Sequence, residues 1–268
     1  MRLPAPVTEP GRAGLAALLA EPARALVALD FDGTLAPIVE RPEDARPLPA
    51  ALRPLRSAAR TFGQLAIVTG RPAEWLVDVA GLGGIPGLII AGQYGAQHWA
   101  AGVLREADPA AGLAAVRVAL PGLVAARQAR IEDKRLSIVV HTRGAEHPDK
   151  ELAALAATVR ELAVQHGLEA HPGRYVIEIR SPGFDKGAAL ADLVREFDPH
   201  TVLFIGDDLG DLPAFAVVES LRGLGRPGLT VCSGATEVTQ VAERADLVVD
   251  GPAGVVDLLT ALVRIAGE

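Results

Sequence analysis

The sequence predicts an α/β protein: a doubly wound parallel sheet of the Rossmann type, with a second, smaller α/β domain inserted into it. Three observations lead to this fold class. Short apolar runs of strand length alternate with segments of helical length at both ends of the chain. The middle of the chain instead alternates apolar and polar residues, which is typical of strands with one exposed face. Half of the 268 residues are hydrophobic and 22% are charged, so the chain can bury a sizeable core.

The N-terminal part of the chain predicts a short helix after a loose tail, followed by three buried strands. The run ALVALD (25–30) is of strand length and ends abruptly in Asp-Phe-Asp-Gly, which favours a strand over a helix. A helical stretch at 50–61 leads into GQLAIVTG (63–70), and GLIIAG (87–92) follows a further helix start at Pro72. These three runs are typical of buried strands in a parallel sheet.

The C-terminal part shows the same alternation. β-Branched runs at 201–206, 229–234 and 245–250 predict three further strands, and segments of helical length at 185–197 and 210–222 accompany them. Strands that alternate with helices form doubly wound parallel sheets. In such sheets, the loops at the carboxyl ends of the strands build the ligand site.

The middle of the chain predicts a different kind of sheet. The runs LSIVVHTR (136–143) and RYVIEIRS (174–181) alternate apolar and polar residues, and helical stretches are expected at 109–130 and 148–166. A small sheet with helices on one face accounts for this pattern.

Two segments that contain Gly and Pro mark the expected domain boundaries, near 102 and 181. We therefore assign residues 1–102 and 181–268 to the core domain, and residues 103–180 to the smaller α/β domain. Hinges are expected at the same two segments.

The composition excludes several classes of function. Lys and Arg number 26 against 33 Asp and Glu, and the formal net charge of −7 argues against a nucleic-acid partner. No run approaches the roughly 18 consecutive apolar residues of a membrane span, so we expect no membrane partner. The single cysteine, Cys232, excludes an internal disulfide, and we expect it to be inert packing. The N-terminus lacks the pattern of a signal peptide, so we expect a cytoplasmic location.

Polar side chains cluster after three of the predicted strands and would share one crevice. Their positions are Asp30, Asp32, Thr69, Asp207, Asp208 and Asp211. The carboxyl ends of neighbouring parallel strands meet at one edge of the sheet, so these carboxylates would repel one another without a bound cation. Oxygen ligands without His or Cys suit a hard ion such as Mg²⁺. Lys186, at the start of a predicted helix, would supply a further positive charge.

Four segments of the chain together resemble the motifs of a known superfamily. ALDFDGTLAPI, IVTGRP, SPGFDKGAAL and FIGDDLGDLPAF resemble the four motifs of the haloacid dehalogenase superfamily of phosphotransferases. The inserted domain resembles the type C2B caps of that superfamily. Within it, LAPIVERPEDA, IEDKRLSIVVHTR and YVIEIRSPGFDKG resemble the trehalose-6-phosphate phosphatase family, and the resemblance covers residues 25–260.

This resemblance implies a role for each residue of the expected site. Asp30 matches the nucleophile that forms an aspartyl phosphate. Asp32 matches the general acid that protonates the leaving oxygen and then activates water. Thr69 and Lys186 match the groups that hold the phosphoryl oxygens. The implied Mg²⁺ site consists of Asp30, Asp32 through its backbone carbonyl, Asp207 and Asp208, with Asp208 and Asp211 orienting water or Lys186.

By the same resemblance, the inserted domain selects the sugar, since the core contacts little beyond the phosphate. Charged and amide groups suit the many hydroxyls of a disaccharide. The implied substrate contacts are Gly70, Arg71, Lys134, His141, Arg143, Arg174 and Glu178. Where the family often has His-Gly-x-Glu, this chain has Tyr94 and Gln97 at the His and Glu positions.

The resemblance therefore implies a Mg²⁺-dependent phosphoric monoester hydrolase that converts trehalose 6-phosphate into trehalose and phosphate. We expect a small-molecule sugar phosphate as substrate, a monomeric state, and a trehalose-6-phosphate synthase as a working partner. The sequence leaves three alternatives open. They are a phosphatase of another sugar phosphate (sucrose phosphate or mannosylglycerate phosphate), a phosphomutase with the same type of cap, and a catalytically silent phospho-sugar sensor.

Overall fold

The computed structural model describes residues 3–173, 175–234 and 239–267. The chain divides into two compact units. The first combines Met1–Arg105 with Asp185–Glu268, and the second is Glu106–Phe184.

The described residues form 12 strands and nine α-helices. The strands are β1 (Ala25–Leu29), β2 (Gln64–Val68), β3 (Leu88–Gly92), β4 (Gln97–Ala100), β5 (Val103–Glu106), β6 (Arg130–Asp133), β7 (Ser137–His141), β8 (Glu169–Gly173), β9 (Val176–Arg180), β10 (Thr201–Gly206), β11 (Gly228–Ser233) and β12 (Leu247–Val249). The helices are α1 (Glu9–Ala20), α2 (Leu52–Thr61), α3 (Ala73–Asp78), α4 (Ala111–Val124), α5 (Pro148–Gln165), α6 (Lys186–Phe197), α7 (Leu212–Gly223), α8 (Thr239–Arg244) and α9 (Gly251–Ala266).

The first unit is built on an eight-stranded sheet with the order β12-β11-β10-β1-β2-β3-β4-β5. The six strands from β12 to β3 are parallel, and β4 runs antiparallel to β3. Strand β1 lies at the centre, where Ala28 pairs with Phe204 on one side and with Ala66 on the other. All residues of β1, β10 and β11 are buried, as expected for parallel strands that are covered on both faces.

Helices cover both faces of this sheet. Successive residues of a strand point to opposite faces, so β1 contributes Val27 and Leu29 to one core and Leu26 and Ala28 to the other. Helices α2 and α9 pack together in the first core, and α6 and α7 pack together in the second. The predicted doubly wound α/β core is therefore confirmed. The β4–β5 hairpin at its edge was not predicted, because both strands are short and of mixed polarity.

A buried carboxylate, Asp246, joins three elements of the first unit. It accepts hydrogen bonds from Arg222 at the end of α7 and from the hydroxyl of Thr8, which caps α1. The backbone N–H and the hydroxyl of Thr230 in β11 donate to the same carboxylate at 2.8 and 2.9 Å. Gly11 lies so close that a Cβ there would come within 2.4 Å of the Asp246 side chain. Burial acts to raise the pKa of Asp246, but the hydrogen bonds from Arg222, Thr8 and Thr230 lower it overall.

The second unit contains a four-stranded antiparallel sheet with the order β6-β7-β9-β8. Helices α4 and α5 supply the apolar residues that pack with the strands in one core. The helix predicted at 109–130 is too long, because α4 ends at Val124 and Arg130–Asp133 instead pair with β7 as an edge strand. Edge pairing of this kind depends on the neighbouring strand, and the local sequence does not report it.

No helix in the described parts of the chain combines the length and the apolarity that a membrane crossing requires.

Candidate active site

The loops after β1, β2 and β10 carry the polar residues that the sequence singled out. Asp30 follows β1, Thr69 follows β2 and Asp207 follows β10, and these three strands are neighbours in the sheet. Asp30 and Thr69 are buried, with 3% and 1% of their surface exposed. The carboxyl edge of the sheet thus collects these groups, as expected for an open parallel sheet.

Lys186 lies at the centre of this acidic group. It is the first residue of α6, whose N-terminus is capped by the Asp185 carboxylate accepting from the Ala188 N–H at 2.7 Å. Its Nζ lies 2.8 Å from Asp211 Oδ1, 3.0 Å from Asp30 Oδ1 and 3.7 Å from Asp208 Oδ1. Only 5% of Lys186 is exposed, so its charge acts at short range on these carboxylates.

Asp211 organises the loop that follows β10. Its Oδ2 accepts the backbone N–H groups of Asp207 and Asp208 at 2.9 and 3.1 Å, while Oδ1 accepts from Lys186. The side chain of Asp208 in turn accepts the Gly210 N–H at 2.9 Å, which completes a capping box. A Cβ at Gly206 would meet the Asp211 carboxylate at 2.2 Å, so this close approach requires glycine. Asp211 is therefore a positioning group for the other acidic residues.

The turn after Asp30 wraps around Asp207. Gly33 has a φ of +76°, and a Cβ there would come within 2.0 Å of Asp207 Oδ2. The Thr34 hydroxyl donates to Asp207 Oδ1 at 3.4 Å. The Ser233 hydroxyl at the end of β11 donates to the Gly33 carbonyl at 2.8 Å. The Asp-x-Asp-Gly-Thr run thus has a left-handed glycine because the backbone must approach a carboxylate.

Crowding of these buried carboxylates changes their pKa values. The pKa of Asp207 is raised to about 8, first by burial and then by the charges of Asp211 and Asp208, against the opposing effect of Lys186. Burial likewise holds the pKa of Asp30 well above its usual range. The pKa of Asp208 is lowered, chiefly by the charge of Lys186. Carboxylates that resist ionisation together in this way favour a bound cation, which would stabilise their charged forms.

The residues present fit a divalent metal ion. Asp30, Asp207 and Asp211 each offer a carboxylate oxygen, and these oxygens lie within 4.8 Å of one another. Asp211 already bonds Lys186 and two backbone N–H groups, which leaves Asp30 and Asp207 as the carboxylates best placed to bind metal. An all-oxygen donor set is the one that Mg²⁺ prefers. The predicted ligand Asp208 instead caps the turn and faces Lys186.

Asp32 forms a bidentate ion pair with Arg71. Arg71 Nε donates to Asp32 Oδ2 at 2.6 Å and Nη2 donates to Oδ1 at 2.7 Å. The guanidinium lies 4.2 Å from the ring centroid of Trp75 and 5.5 Å from that of Phe31. Both oxygens of the predicted general acid are therefore engaged by one side chain.

The loop after β2 is fixed by a strained turn after β3. The Thr69 and Arg71 carbonyls accept the N–H groups of Tyr94 and Gln93, both at 2.9 Å. Gln93 and Tyr94 have positive φ values of 45° and 60°, and a Cβ at Gly70 would meet the Tyr94 ring at 2.6 Å. Residues rarely adopt these backbone angles without tertiary support. Tyr94 thus packs directly against the predicted phosphate loop.

The second unit brings several predicted sugar-binding residues onto one face of its sheet. Lys134 Nζ lies 3.4 Å from Glu178 Oε1, and His141 Nε2 lies 2.7 Å from Glu132 Oε2. Arg143 lies 5.8 Å from the ring centroid of Tyr175, and Arg174 lies outside the described residues.

Three members of this polar face were not predicted from the sequence: Glu132, Ser137 and Arg180. Ser137 donates to Glu178 at 2.7 Å, and Arg180 lies 3.9 Å from the same carboxylate. Ser137 pairs with Arg180 in register, and Glu132 shares the polar face because its neighbour Ile131 packs against the apolar core. The period of two in the predicted strands β7 and β9 was the signal that could have placed Ser137 and Arg180.

Comparison with known proteins gives consistent matches. The family model described as trehalose-phosphatase matches residues 28–253. The trehalose-phosphate phosphatase of Mycobacterium tuberculosis is 33% identical over an alignment of 253 positions, and the match covers 89% of this chain and 61% of the relative. The chain thus spans about 61% of the length of such curated relatives.

Solved structures match the fold. The C-terminal domain of trehalose-6-phosphate phosphatase from C. albicans is 22% identical, with a TM-score of 0.74 and coverage of 98% of this chain and 99% of that chain. The trehalose-6-phosphate phosphatase of Aspergillus fumigatus is 23% identical, with a TM-score of 0.69 and coverage of 97% and 99%. At these identities the likeness shows the fold alone.

Proposed function

Because the chain belongs to the trehalose-phosphatase family, we propose that it hydrolyses trehalose 6-phosphate to trehalose and phosphate, with Mg²⁺ and through an aspartyl phosphate on Asp30. The observation that carries this proposal is the buried Asp30 carboxylate, which lies 3.0 Å from the Lys186 ammonium. A carboxylate that is held against a fixed cation beside further acidic ligands suits attack on a phosphoryl group.

In the first half-reaction, an Asp30 oxygen attacks phosphorus and the bond from phosphorus to the sugar oxygen breaks. Asp32 transfers a proton to that oxygen, so the sugar leaves as an alcohol and not as an alkoxide. Lys186 and Thr69 hold the phosphoryl oxygens while charge moves across them. The Thr69 hydroxyl oxygen accepts from the Arg71 N–H at 3.2 Å, and its own O–H remains available to donate.

In the second half-reaction, water attacks the phosphorus of the aspartyl phosphate. The Asp32 carboxylate accepts a proton from that water, the Asp30–phosphorus bond breaks, and phosphate leaves. The proton from water replaces the one that left with the sugar, so Asp32 is protonated again and both residues return to their starting state.

Asp30 and Asp207 would hold the metal ion, which would neutralise charge on the phosphoryl oxygens when bound. The crowding that raises the pKa of both carboxylates supports this assignment, because a cation there removes the repulsion. Asp211 orients the site by holding Lys186 and the N–H groups of the loop after β10.

We further propose that the second unit acts as the substrate-specificity cap of the enzyme. Lys134, Glu178 and the His141–Glu132 pair are polar groups arranged on one sheet face, as hydroxyl recognition requires. Arg143 and Arg174 belong to the same set by resemblance to the family.

We also propose that the enzyme is a monomer and lies in the cytoplasm, and that a trehalose-6-phosphate synthase supplies its substrate. A sugar phosphate of this kind must be made by a glycosyl transfer that leaves the phosphate in place. A chain with a single cysteine fits a reducing compartment.

The test measures phosphate release from trehalose 6-phosphate, glucose 6-phosphate, sucrose 6-phosphate and mannosylglycerate phosphate, with and without Mg²⁺. We expect Mg²⁺-dependent release with a clear preference in kcat/KM for trehalose 6-phosphate. Asp30→Asn should abolish release without loss of folding by circular dichroism. A flat substrate profile would reject the sugar, and binding without any release would support a silent sensor.

A further inference from the structure

Both oxygens of Asp32 bond to one guanidinium, and this bears on how the proposed phosphatase reaction begins. Arg71 donates to them at 2.6 and 2.7 Å in the two-point geometry that guanidinium and carboxylate share. A general acid must instead present one oxygen to the leaving oxygen of the substrate. That oxygen must also carry the proton that Asp32 transfers, so one of the two Arg71 contacts has to open before Asp32 can act as the acid.

Arg71 is itself held from several sides. Its guanidinium lies 4.2 Å from the Trp75 centroid, and the Trp75 ring meets Phe31 edge-on at a centroid distance of 5.8 Å. Arg46 lies over Trp75 at 5.6 Å, and its Nη1 donates to the carbonyls of Glu43 and Ala45, both at 2.8 Å. Only 15% of the Arg71 side chain is exposed. The aromatic pair thus fixes the plane in which Arg71 meets Asp32.

We propose that Arg71 is a positioning residue for Asp32, and that it aims the Asp32 carboxylate by a bidentate contact that becomes a single contact in the reaction. The inference rests on the proposed phosphatase function. Phe31 lies between Asp30 and Asp32 in sequence, so the aromatic pair couples the position of Arg71 to the loop that carries the nucleophile. A lysine could not replace Arg71, because an ammonium offers a point charge without the planar fork.

The leaving group separates this role from phosphate binding. An alkoxide needs a proton from Asp32, whereas p-nitrophenolate leaves without one. Because kcat/KM reports the steps up to departure of the leaving group, a loss of Asp32 positioning lowers it for trehalose 6-phosphate and spares it for p-nitrophenyl phosphate. An Arg71 that mainly bound the phosphoryl group would lower kcat/KM for both substrates equally, since both carry that group.

The experiment compares kcat/KM on the two substrates for the full chain with Mg²⁺, in the wild type, Arg71→Lys, Arg71→Met and Trp75→Leu. General acid catalysis contributes about 10²–10⁴-fold, so we expect both Arg71 variants to lose roughly 100-fold on trehalose 6-phosphate. Their change on p-nitrophenyl phosphate should stay within about threefold. Trp75→Leu keeps the charges of Arg71 and Asp32. It should lower the ratio of kcat/KM for trehalose 6-phosphate to kcat/KM for p-nitrophenyl phosphate, by a smaller factor than the Arg71 variants. Arg53→Lys, on the exposed face of α2, is the matched control.

Each outcome has one meaning. Equal losses on both substrates would overturn the positioning role, and so would an unchanged ratio in folded Arg71 variants. Failure of the wild type to release phosphate from any sugar phosphate would overturn the proposed function itself, and the positioning role with it. If the wild type prefers another sugar phosphate, that alkyl ester takes the place of trehalose 6-phosphate, and the ratio is read in the same way.

Discussion

Replacing Asp246 with asparagine should destabilise the first unit, because this carboxylate accepts hydrogen bonds from the N-cap of α1, from α7 and from β11. Asp246→Asn keeps the shape of the side chain and removes its charge. One of its acceptor oxygens becomes an NH₂ group that faces donors. The side chain of Asp246 is 2% exposed and that of Arg222 is 18% exposed, so water screens the lost ion pair only in part.

The magnitude follows from the bonds at the site. Breaking a buried ion pair by removal of one partner costs about 3–5 kcal/mol. Arg222 also donates to the Gly228 carbonyl at 2.9 Å and so keeps one partner, which reduces the loss. Both Thr230 donors bond Oδ2, so the amide oxygen has to take that position, and the new NH₂ group then faces the Thr8 hydroxyl, which loses its acceptor. We expect a decrease in the free energy of unfolding of about 3 kcal/mol.

The assay is urea denaturation followed by tryptophan fluorescence. The two tryptophans of the chain, Trp75 and Trp99, both lie in the first unit, so their signal reports the unit that contains Asp246. Asp192→Asn is the control, because its ion pair with Arg195 is exposed and should contribute less than about 1 kcal/mol. A loss below about 1 kcal/mol in Asp246→Asn would refute the reasoning, since the buried pair would then contribute no more than a surface pair.

The pH dependence has a definite sign. The pKa of Asp246 is lower in the folded protein than the value of about 3.9 for an unfolded aspartate. The carboxylate therefore stabilises the fold fully above the unfolded pKa, and this stability is lost as pH falls through the folded pKa. The difference in stability between wild type and Asp246→Asn should shrink over that acidic range and stay constant at neutral pH.

Three further predictions concern the site and its surroundings. Mg²⁺ should raise the Tm of the wild type, and Asp207→Asn should lose most of this shift, whereas an equal shift in both proteins would contradict the assignment of Asp207 as a ligand. Lys134→Met should raise KM for trehalose 6-phosphate and leave p-nitrophenyl phosphate hydrolysis unchanged; equal effects on both substrates would remove Lys134 from sugar recognition. Burial raises the pKa of the Cys232 thiol to about 11, so the native protein should not react with a thiol reagent at pH 8 until it is unfolded. Rapid labelling of native protein would show that Cys232 is accessible.

The sequence predicted the parts of the fold that rest on continuous burial. Strands β1, β2 and β10 are apolar except for Gln64 and Thr201 at the starts of β2 and β10, so their runs identify them without help from neighbours. Strands β6 and β8 were missed because they lie at the edges of a small sheet and owe their conformation to β7 and β9. Propensity carries little information at such positions.

For the site, the sequence predicted which residues come together but not how their side chains pair. The convergence of Asp30 and Asp207 follows from strand order, because neighbouring parallel strands end at the same edge. The bond from Lys186 to Asp211 and the bidentate pairing of Asp32 with Arg71 depend on side-chain directions, which spacing along the chain does not determine. Glu132 was overlooked because its role appears only when β6 is known to be a strand.

The insertion of the second unit also affects how the first unit is made during synthesis. Strand β1 can pair with β2 once both are synthesised, but Ala25 pairs on its other side with Thr201, which is 176 residues later in the chain. At a translation rate of about 5–20 residues per second, one edge of the central strand waits roughly 10–35 s for its partner. Residues 106–184 are contiguous and become available in that interval. An apolar strand edge that stays unpaired for this long can associate with other chains. Slower translation should therefore lower the yield of folded protein, because the first unit stays incomplete for longer.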